Sequence, residues 1–383
     1  MKIALVVPGG VDASGEARII PVLVALIGRL AAEHDLHVFA THQDPEPGDW
    51  TLEGARVHNV GARHTGWRAA AAILREHRVQ PFDVVHAFWA GSHGALAVGM
   101  GTLLRVPSVV HVAGGELAAL PDIGYGGCRT WRGRLREHAV LRAATVVTCA
   151  SQPIGELVAA RGVTAQRVPL GVDLDRWPVR APVRRLSGEP ARLVHVASLN
   201  AVKDQPTLLR ALRGLADAGR EFHADIVGED TLDGRIHALA AELGLQHRLR
   251  FHGFLTQRAL RPIVEQAHVA VVSSRHEAGP VVVLEAALAG VPSVGTTVGH
   301  LAEWSPHAAL AVPCGDSGAL AAGIARLLDD EDLRLRLAGA AQRIALEDSA
   351  DETARQFSEI YRRIASRSGR ATARTAARER RSA

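Results

Sequence analysis

The chain alternates short β-branched runs with helix-like stretches, and it does so twice. In the first half, "IALVV", "DVVHA", "SVVHV" and "TVVTC" are separated by helical sequence. The pattern restarts at "RLVHVAS" and continues through "FHADIVG" and "HVAVVSS". Near-continuous apolar strands between helices are typical of a parallel sheet covered on both faces. The predicted fold class is therefore α/β, with two Rossmann-like, doubly wound domains facing a central cleft.

A Pro- and Arg-rich stretch separates the two halves. Residues 174–191, "LDRWPVRAPVRRLSGEPA", show neither helical nor strand periodicity, as expected of a connection between domains. We predict an N-terminal domain over 1–175 and a C-terminal domain over 190–349. A helix over 350–365 follows and could pack back on the N-terminal domain. Residues 366–383 are predicted to be a basic disordered tail, because Ser, Ala and Arg leave almost nothing apolar to fold around.

Charge and cysteine content restrict the class of protein. Eight arginines and one glutamate from Arg362 onward carry +7, so the formal +4 of the chain becomes −3 for everything before that residue. The basic balance belongs to the tail, and no nucleic-acid partner is predicted. Three widely spaced cysteines without a Cys-x-x-Cys pair indicate neither a disulfide framework nor a zinc site. The sequence shows no signal peptide or membrane span, so we expect a cytoplasmic protein.

Two glutamates eight positions apart mark the most informative stretch, "HEAGPVVVLEAALAGVP". Gly279–Pro280 predicts a helix start and Gly290 a helix stop, which places Glu277 in a loop and Glu285 in mid-helix. The free N–H groups at a helix start favour phosphate. The spacing suits a ligand with hydroxyls at both ends and a pyrophosphate between them, as in a nucleotide sugar. The alternative is a solvated Glu277 and a Glu285 that pairs within the fold.

Lysine is nearly absent from the chain. Lys2 and Lys203 are the two lysines, so 42 of the 44 basic residues are arginine. Lys203 lies in "ASLNAVKDQ", where the loop after the first strand of the second domain is expected to meet the cleft. Its compact ammonium predicts a phosphate-binding role, and a surface lysine is the alternative.

The first domain offers candidates for a second half of the site. Gly10 lies in a glycine-containing loop after the first strand, where the backbone can approach a ligand closely. His86 and His111 end predicted strands and are expected near the cleft mouth. Tyr125 and Trp131 stand in an Arg-rich stretch that could hold an acceptor or meet anionic lipid headgroups; a solvated basic helix is the alternative. No His-x3-His or Asp-x-Asp array is present, so no metal is predicted.

Together these motifs resemble the retaining GT-B glycosyltransferases of family 4. The resemblance runs through "PGG", "DVVHAFW", "SVVHVAGG", "VPLGVD", "ASLNAVKDQ", "FHGFL" and the Glu-x7-Glu segment, and it covers nearly the whole chain. It implies a C-terminal domain that binds a nucleoside diphosphate sugar and an N-terminal domain that binds the acceptor. It also implies that neither a metal nor another cofactor is needed.

The resemblance assigns donor contacts to individual residues. Glu285 would bind the ribose hydroxyls, Lys203 the diphosphate, and Glu277 the donor sugar. Ser198 and Gly279 would complete the donor contacts, with Ser198 at a position where the family often has arginine. Glu277 and Lys203 would also take part in catalysis.

In the first domain, the resemblance places His111 beside the reacting centre as a catalytic residue. Gly10 would approach the diphosphate, and His86, Tyr125 and Trp131 would contact the acceptor.

The implied reaction moves a hexosyl group with retention of configuration to a hydroxyl of a carbohydrate, lipid-linked or small-molecule acceptor. Peripheral contact with the inner face of an anionic membrane is compatible with such a role. Two alternatives stay open: a nucleotide-sugar binding protein without turnover and a GT-B nucleotide-sugar epimerase. A dinucleotide oxidoreductase is disfavoured, because the glycine loop is not Gly-x-Gly-x-x-Gly.

Overall fold

The chain forms two compact units. The computed structural model describes residues 1–186 and 188–382, and beyond residue 367 it describes the backbone alone. The first unit comprises Met1–Pro121, Gly126–Leu170 and the segment from Ala350 onward, and the second comprises Asp122–Tyr125 and Gly171–Ser349.

The first unit is built on an eight-stranded sheet in the order β3-β4-β2-β1-β5-β6-β7-β8. Its strands are β1 Lys2–Val7, β2 Asp35–Ala40, β3 Gly48–Leu52, β4 Ala55–Asn59, β5 Val84–Phe88, β6 Ser108–Val112, β7 Val146–Cys149 and β8 Ala165–Arg167. Its helices include α1 Pro21–Glu33, α2 Thr65–Val79, α3 Ala95–Leu104, α4 Trp131–Ala143 and α5 Gln152–Ala159, with short helical turns at Ala90–Gly94 and Gly127–Arg129. Neighbouring strands are parallel except for the β3–β4 pair.

Two details of the first unit differ from the sequence pattern. Helix-like sequence runs from Ala17, but helix α1 begins at Pro21, because proline fits the first helical turn and Arg18 has a left-handed backbone with φ 50°. The antiparallel strands β3 and β4 were not predicted. They join through Glu53 and Gly54, which both have positive φ, as a tight hairpin turn requires.

The second unit contains a six-stranded, all-parallel sheet in the order β11-β10-β9-β12-β13-β14. Its strands are β9 Ala191–Val196, β10 Phe222–Val227, β11 Leu249–Gly253, β12 Val269–Val272, β13 Ser293–Thr296 and β14 Leu310–Val312. Its helices are α6 Gln205–Asp217, α7 Arg235–Glu242, α8 Gln257–Glu265, α9 Val281–Leu288, α10 Gly299–Trp304, α11 Ser317–Asp329 and α12 Glu331–Glu347, with a helical turn at Pro121–Ile123 next to its first segment.

Each sheet is covered on both faces, as its apolar strands require. In the first unit, α1 and the last helix, α13 (Ala350–Ser382), pack on one face, and α2 and α3 pack on the other. In the second unit, α6 and α11 cover one face, while α8, α9 and α12 cover the other. The prediction of an α/β fold with two Rossmann-like units is confirmed.

The Pro- and Arg-rich connection packs on the second unit. The backbone N–H of Arg180 donates to the carbonyl of Leu288 at 2.8 Å, and the Arg185 guanidinium donates to the carbonyl of Leu328 at 2.9 Å. These bonds explain why the connection belongs to the second unit, whose long segment starts at Gly171, earlier than the predicted start at residue 190.

Helix α13 returns to the first unit after the chain has completed the second. Phe357, Ile360 and Tyr361 are almost wholly buried in the core that α1 also lines. The last turns of α13 fall on 366–382, where the sequence predicts a disordered tail. Beyond residue 367 the structure describes the backbone alone, so the disordered tail stays a prediction.

Candidate functional site

The carboxyl ends of β9 and β12 hold two loops together in the second unit. The strands are parallel neighbours, with Val194 beside Ala270. Beyond them, the Ser273 hydroxyl donates to the carbonyl of Lys203 at 2.7 Å, and the Arg275 N–H donates to the carbonyl of Val202 at 2.8 Å. Ligands of open α/β sheets bind at this edge, so the two loops are positioned for contact with a ligand.

Lys203 and Glu277 meet where these loops join. The Lys203 Nζ lies 2.5 Å from Glu277 Oε1, which also accepts a hydrogen bond from the Ser274 hydroxyl at 2.6 Å. Their side chains are 25% and 14% exposed, respectively. An ammonium and a carboxylate are thus fixed side by side while still open to the surface.

Helix α9 starts directly after this pair. The first helical residue is Val281, and Pro280 stands directly before it. The sequence predicts a helix that starts at Pro280, so the observed start is one residue later. The helix ends before Gly290, whose φ of 75° confirms the predicted stop. Gly279 lies half-buried in the loop between Glu277 and the helix. The N–H groups of the first turn of α9 therefore follow Glu277 by a few residues.

Glu285 lies in the middle of α9, as predicted, and is 4% exposed. Burial raises the pKa of its carboxyl from 4.5 to about 7, and a hydrogen bond with Gln257 opposes that rise. The Oε1 of Gln257 in turn accepts from the indole N–H of Trp177. Glu285 is thus an acid whose charge changes near neutral pH, held by an amide from α8.

The loop after β9 also carries the position where the family often has arginine. Ser198 is exposed there, and its carbonyl accepts from Gln205 Nε2 at 3.1 Å. Asp204, the residue before α6, has a left-handed backbone and caps that helix through Thr207. Five predicted donor residues therefore lie within the second unit: Ser198, Lys203, Glu277, Gly279 and Glu285.

A cavity of about 640 Å³ opens beside the same β9–α6 loop. It is lined by Asn200, Asp204, Arg235, Arg275 and Cys314, among others, and its described lining includes none of these five donor residues.

The two predicted histidines lie inside the first unit. His86 Nδ1 is 2.6 Å from the Tyr361 hydroxyl, and His111 Nδ1 is 2.9 Å from the Thr148 hydroxyl. Both side chains are 0% exposed, and burial lowers both pKa values, that of His111 to about 3. Both imidazoles are therefore neutral and packed inside the first unit. That His86 and His111 contact a ligand remains a prediction.

The other predicted residues of the first domain are more open. Gly10 has φ 78°, and a Cβ there would lie 2.5 Å from Ile20 Cγ1, so the loop requires glycine. Trp131 begins α4 with 63% of its surface exposed. Tyr125 groups with the second unit, where its ring lies 5.8 Å from that of His276.

Two site features had no signal in the sequence. Gln257, the partner of Glu285, comes from α8, and nothing in its local pattern distinguishes it. Glu116 follows β6, is buried, and accepts hydrogen bonds from the N–H groups of Ala90 and Ala113 at 3.1 and 3.3 Å. Burial raises its pKa to about 7.

Comparisons with known proteins bear on this arrangement. The model of the family "Glycosyl transferases group 1" matches residues 181–344, and the model "Glycosyl transferase 4-like domain" matches residues 19–171. The two models cover most of each unit. The chain is a group 1 glycosyltransferase.

Relatives and solved structures extend the likeness over most of the chain. Glycogen synthase of Mycobacterium tuberculosis is 27% identical over 347 residues, 87% of this chain and 79% of its own length. Sucrose-phosphate synthase from Thermosynechococcus elongatus superposes with a TM-score of 0.78 at 20% identity, over 95% of this chain and 99% of its own. The complex of Anabaena HepE with UDP-glucose gives a TM-score of 0.71 at 18% identity, over 94% and 99%. This glycosyltransferase therefore has the GT-B fold.

Among the described residues, this glycosyltransferase has no helix that is both long and apolar enough to cross a membrane.

Proposed function

We propose that this glycosyltransferase transfers a hexosyl group, with retention of configuration, from a nucleoside diphosphate sugar to an acceptor hydroxyl. The observation that carries the proposal is the Lys203–Glu277 pair beside the start of α9, with Glu285 buried further along the same helix. The Lys203 ammonium and the N–H groups at the start of α9 suit a diphosphate. The buried Glu285 carboxyl, further along the helix, suits the ribose hydroxyls.

Lys203 is proposed to bind the diphosphate. Its ammonium is partly exposed and paired with one carboxylate, so an incoming diphosphate can share or replace Glu277 as its partner. The nearby start of α9 adds N–H donors for the same oxygens. Because Ser198 supplies no charge where a second cation is common in the family, Lys203 should carry most of the electrostatic stabilisation of the leaving group.

Glu285 is proposed to accept hydrogen bonds from the ribose hydroxyls. Its carboxylate is buried, and a buried acceptor that gains donors from a ligand binds it strongly. Glu277 is proposed to contact the donor sugar, with Gly279 letting the loop approach closely.

The proposed chemistry needs no resident cofactor. The bond between the sugar C1 and the diphosphate oxygen breaks, a bond from C1 to the acceptor oxygen forms on the same face, and the acceptor proton passes to the leaving phosphate. Gly10 is proposed to lie near the diphosphate, and His111, His86, Tyr125 and Trp131 near the acceptor, as the family resemblance implies.

UDP-glucose is the first donor to test, since it is named in the structure of HepE, which shares this fold. Isothermal titration calorimetry with UDP-, ADP- and GDP-sugars identifies the donor. The anomeric configuration of the product, read by NMR, then tests retention.

Variants assign the binding to this site. Lys203→Gln and Glu285→Gln should each weaken binding of the selected donor at least about tenfold, because each removes a charged hydrogen-bonding group. Arg210→Gln, at an exposed arginine on α6, is the matched control and should bind as wild type does. Unchanged affinity in both site variants would show that the donor binds elsewhere.

A further inference from the structure

Two histidines and a glutamate converge inside the first unit. His37 Nδ1 lies 3.0 Å from His58 Nε2, and Glu76 Oε2 lies 3.8 Å from His37 Nδ1. One ligand atom from each of the three side chains lies within 4.8 Å of the others. Both imidazoles are buried, and the Glu76 side chain is 17% exposed. Three groups that bind metals are thus held in one small volume.

The fold brings them together from three elements. Strands β2 and β4 are parallel neighbours, and Phe39 is the register partner of His58, so His37 and His58 lie diagonally on one face of the sheet. Helix α2 covers that face through Ile73, and Glu76 follows one turn later on the same stripe. The three residues are therefore far apart in sequence, and for this reason no local sequence motif indicates the cluster.

A carboxylate also lies near the second ring nitrogen of each imidazole, the one that does not face the cluster. Asp49 Oδ1 lies 2.6 Å from His58 Nδ1, and Asp35 Oδ1 lies 3.5 Å from His37 Nε2. The His37 Nε2 is buried and has no hydrogen-bond partner among the described residues. Histidines that bind metals usually donate their second N–H to a carboxylate, which fixes the tautomer. His58 shows that arrangement with Asp49, whereas Asp35 lies near His37 Nε2 without a hydrogen bond to it.

We propose that His37, His58 and Glu76 form a zinc site. With metal–ligand bonds of about 2.0–2.2 Å, the ligand atoms of a tetrahedral site lie roughly 3.3 Å apart, a value between the 3.0 Å from His37 to His58 and the 3.8 Å from His37 to Glu76. Two imidazoles and one carboxylate suit zinc better than calcium or magnesium, which prefer oxygen ligands alone. Water would complete the fourth position. Since the ligands come from β2, β4 and α2, bound zinc cross-links one end of the sheet to its covering helix.

The surrounding charges are compatible with a divalent cation. The arginines that pair with the carboxylates face solvent: Arg56 beside Asp35 is 60% exposed, and Arg75 beside Glu76 is 63% exposed. The buried cation nearby, Lys2, directs its ammonium to the carbonyl of Glu76 at 2.8 Å rather than to the carboxylate. The space between the three ligands therefore faces carboxylate and imidazole groups.

The experiment uses the full-length chain without a histidine tag, dialysed against a chelator and then titrated with zinc chloride. We expect one zinc per chain by elemental analysis, and visible d–d absorption typical of tetrahedral cobalt when cobalt replaces zinc. Glu76→Gln should weaken zinc binding at least tenfold. Asp49→Asn, which touches only the second nitrogen of His58, should weaken it by about 10–100-fold.

A matched control separates this site from the other histidines. His247→Gln removes one exposed histidine of the second unit and should bind zinc as wild type does. Zinc should also raise the melting temperature of wild type and of His247→Gln, but not that of Glu76→Gln at the same zinc concentration. Substoichiometric zinc in wild type, or wild-type affinity in Glu76→Gln, would overturn the proposal and leave the two imidazoles joined by a hydrogen bond alone.

Discussion

Replacing Glu285 by glutamine should make the second unit more stable and the enzyme worse at binding its donor. The carboxyl is buried and its pKa rises from 4.5 to about 7. Between those pH values the folded state holds a proton that the unfolded chain has released, so the free energy of unfolding falls as the pH rises. The fall is complete above about pH 7. Glutamine keeps the shape and the contact with Gln257 but carries no such proton.

The size of the effect follows from the same pKa. Each tenfold change in a proton-binding constant is worth about 1.4 kcal/mol, so the full rise corresponds to about 3 kcal/mol. For a unit of roughly 180 residues, 1 kcal/mol moves the melting temperature by about 2–4 °C. Glu285→Gln should therefore melt roughly 6–12 °C above wild type at pH 8 and by a much smaller margin at pH 5.

Scanning calorimetry of both proteins at several pH values measures this difference directly. Other titrating groups, such as Glu116, are common to both proteins and cancel in the comparison. Donor affinity supplies the second readout: wild type should bind a nucleotide sugar more tightly as the pH rises through 7, because the carboxylate is the better hydroxyl acceptor, and this dependence should be absent from Glu285→Gln. A stability difference that does not change between pH 5 and 8 would refute the reasoning.

Three further predictions concern single side chains. Lys203→Gln should raise the donor Kd at least about tenfold while moving the melting temperature little, since a partly exposed ion pair contributes about 0–1 kcal/mol; binding and melting curves check both parts. His111→Ala should destabilise the first unit by about 2–4 kcal/mol through the cavity left beside Thr148, and a loss of kcat without any loss of stability would instead support contact with the reacting centre. Tyr361→Phe leaves His86 without its partner and should cost about 1–3 kcal/mol, measured by urea unfolding; an unchanged midpoint would contradict the buried hydrogen bond.

The local structure around the candidate donor residues could be predicted because its signals are local. A glycine–proline step, an apolar run and a terminal glycine determine where α9 starts and stops, and the structure moves the start by only one residue, to Val281. The lone lysine before α6 falls in the loop that meets Glu277 for the same reason: β9, the loop and α6 follow one another along the chain.

The histidines show what local signals leave out. The prediction that His86 and His111 end strands is wrong for His86, which lies in the middle of β5, and one residue early for His111 in β6. Their burial depends on α13, which arrives more than 230 residues later in the sequence and brings Phe357 and Tyr361 against them. The His37–His58 contact likewise depends on strand register. The residues around each histidine indicate neither the helix that covers it nor the register of its strand.

The return of α13 to the first unit affects the order in which the protein can fold during synthesis. Residues 171–349 supply nearly all of the second unit as one continuous stretch, so its core can form as soon as that stretch has left the ribosome. The first unit, although translated first, lacks Phe357, Ile360 and Tyr361 until the final helix emerges. From the synthesis of β8 until that of α13, the face of its sheet that α1 and α13 share is covered by α1 alone, and during that period it is the part of the chain most in need of a chaperone.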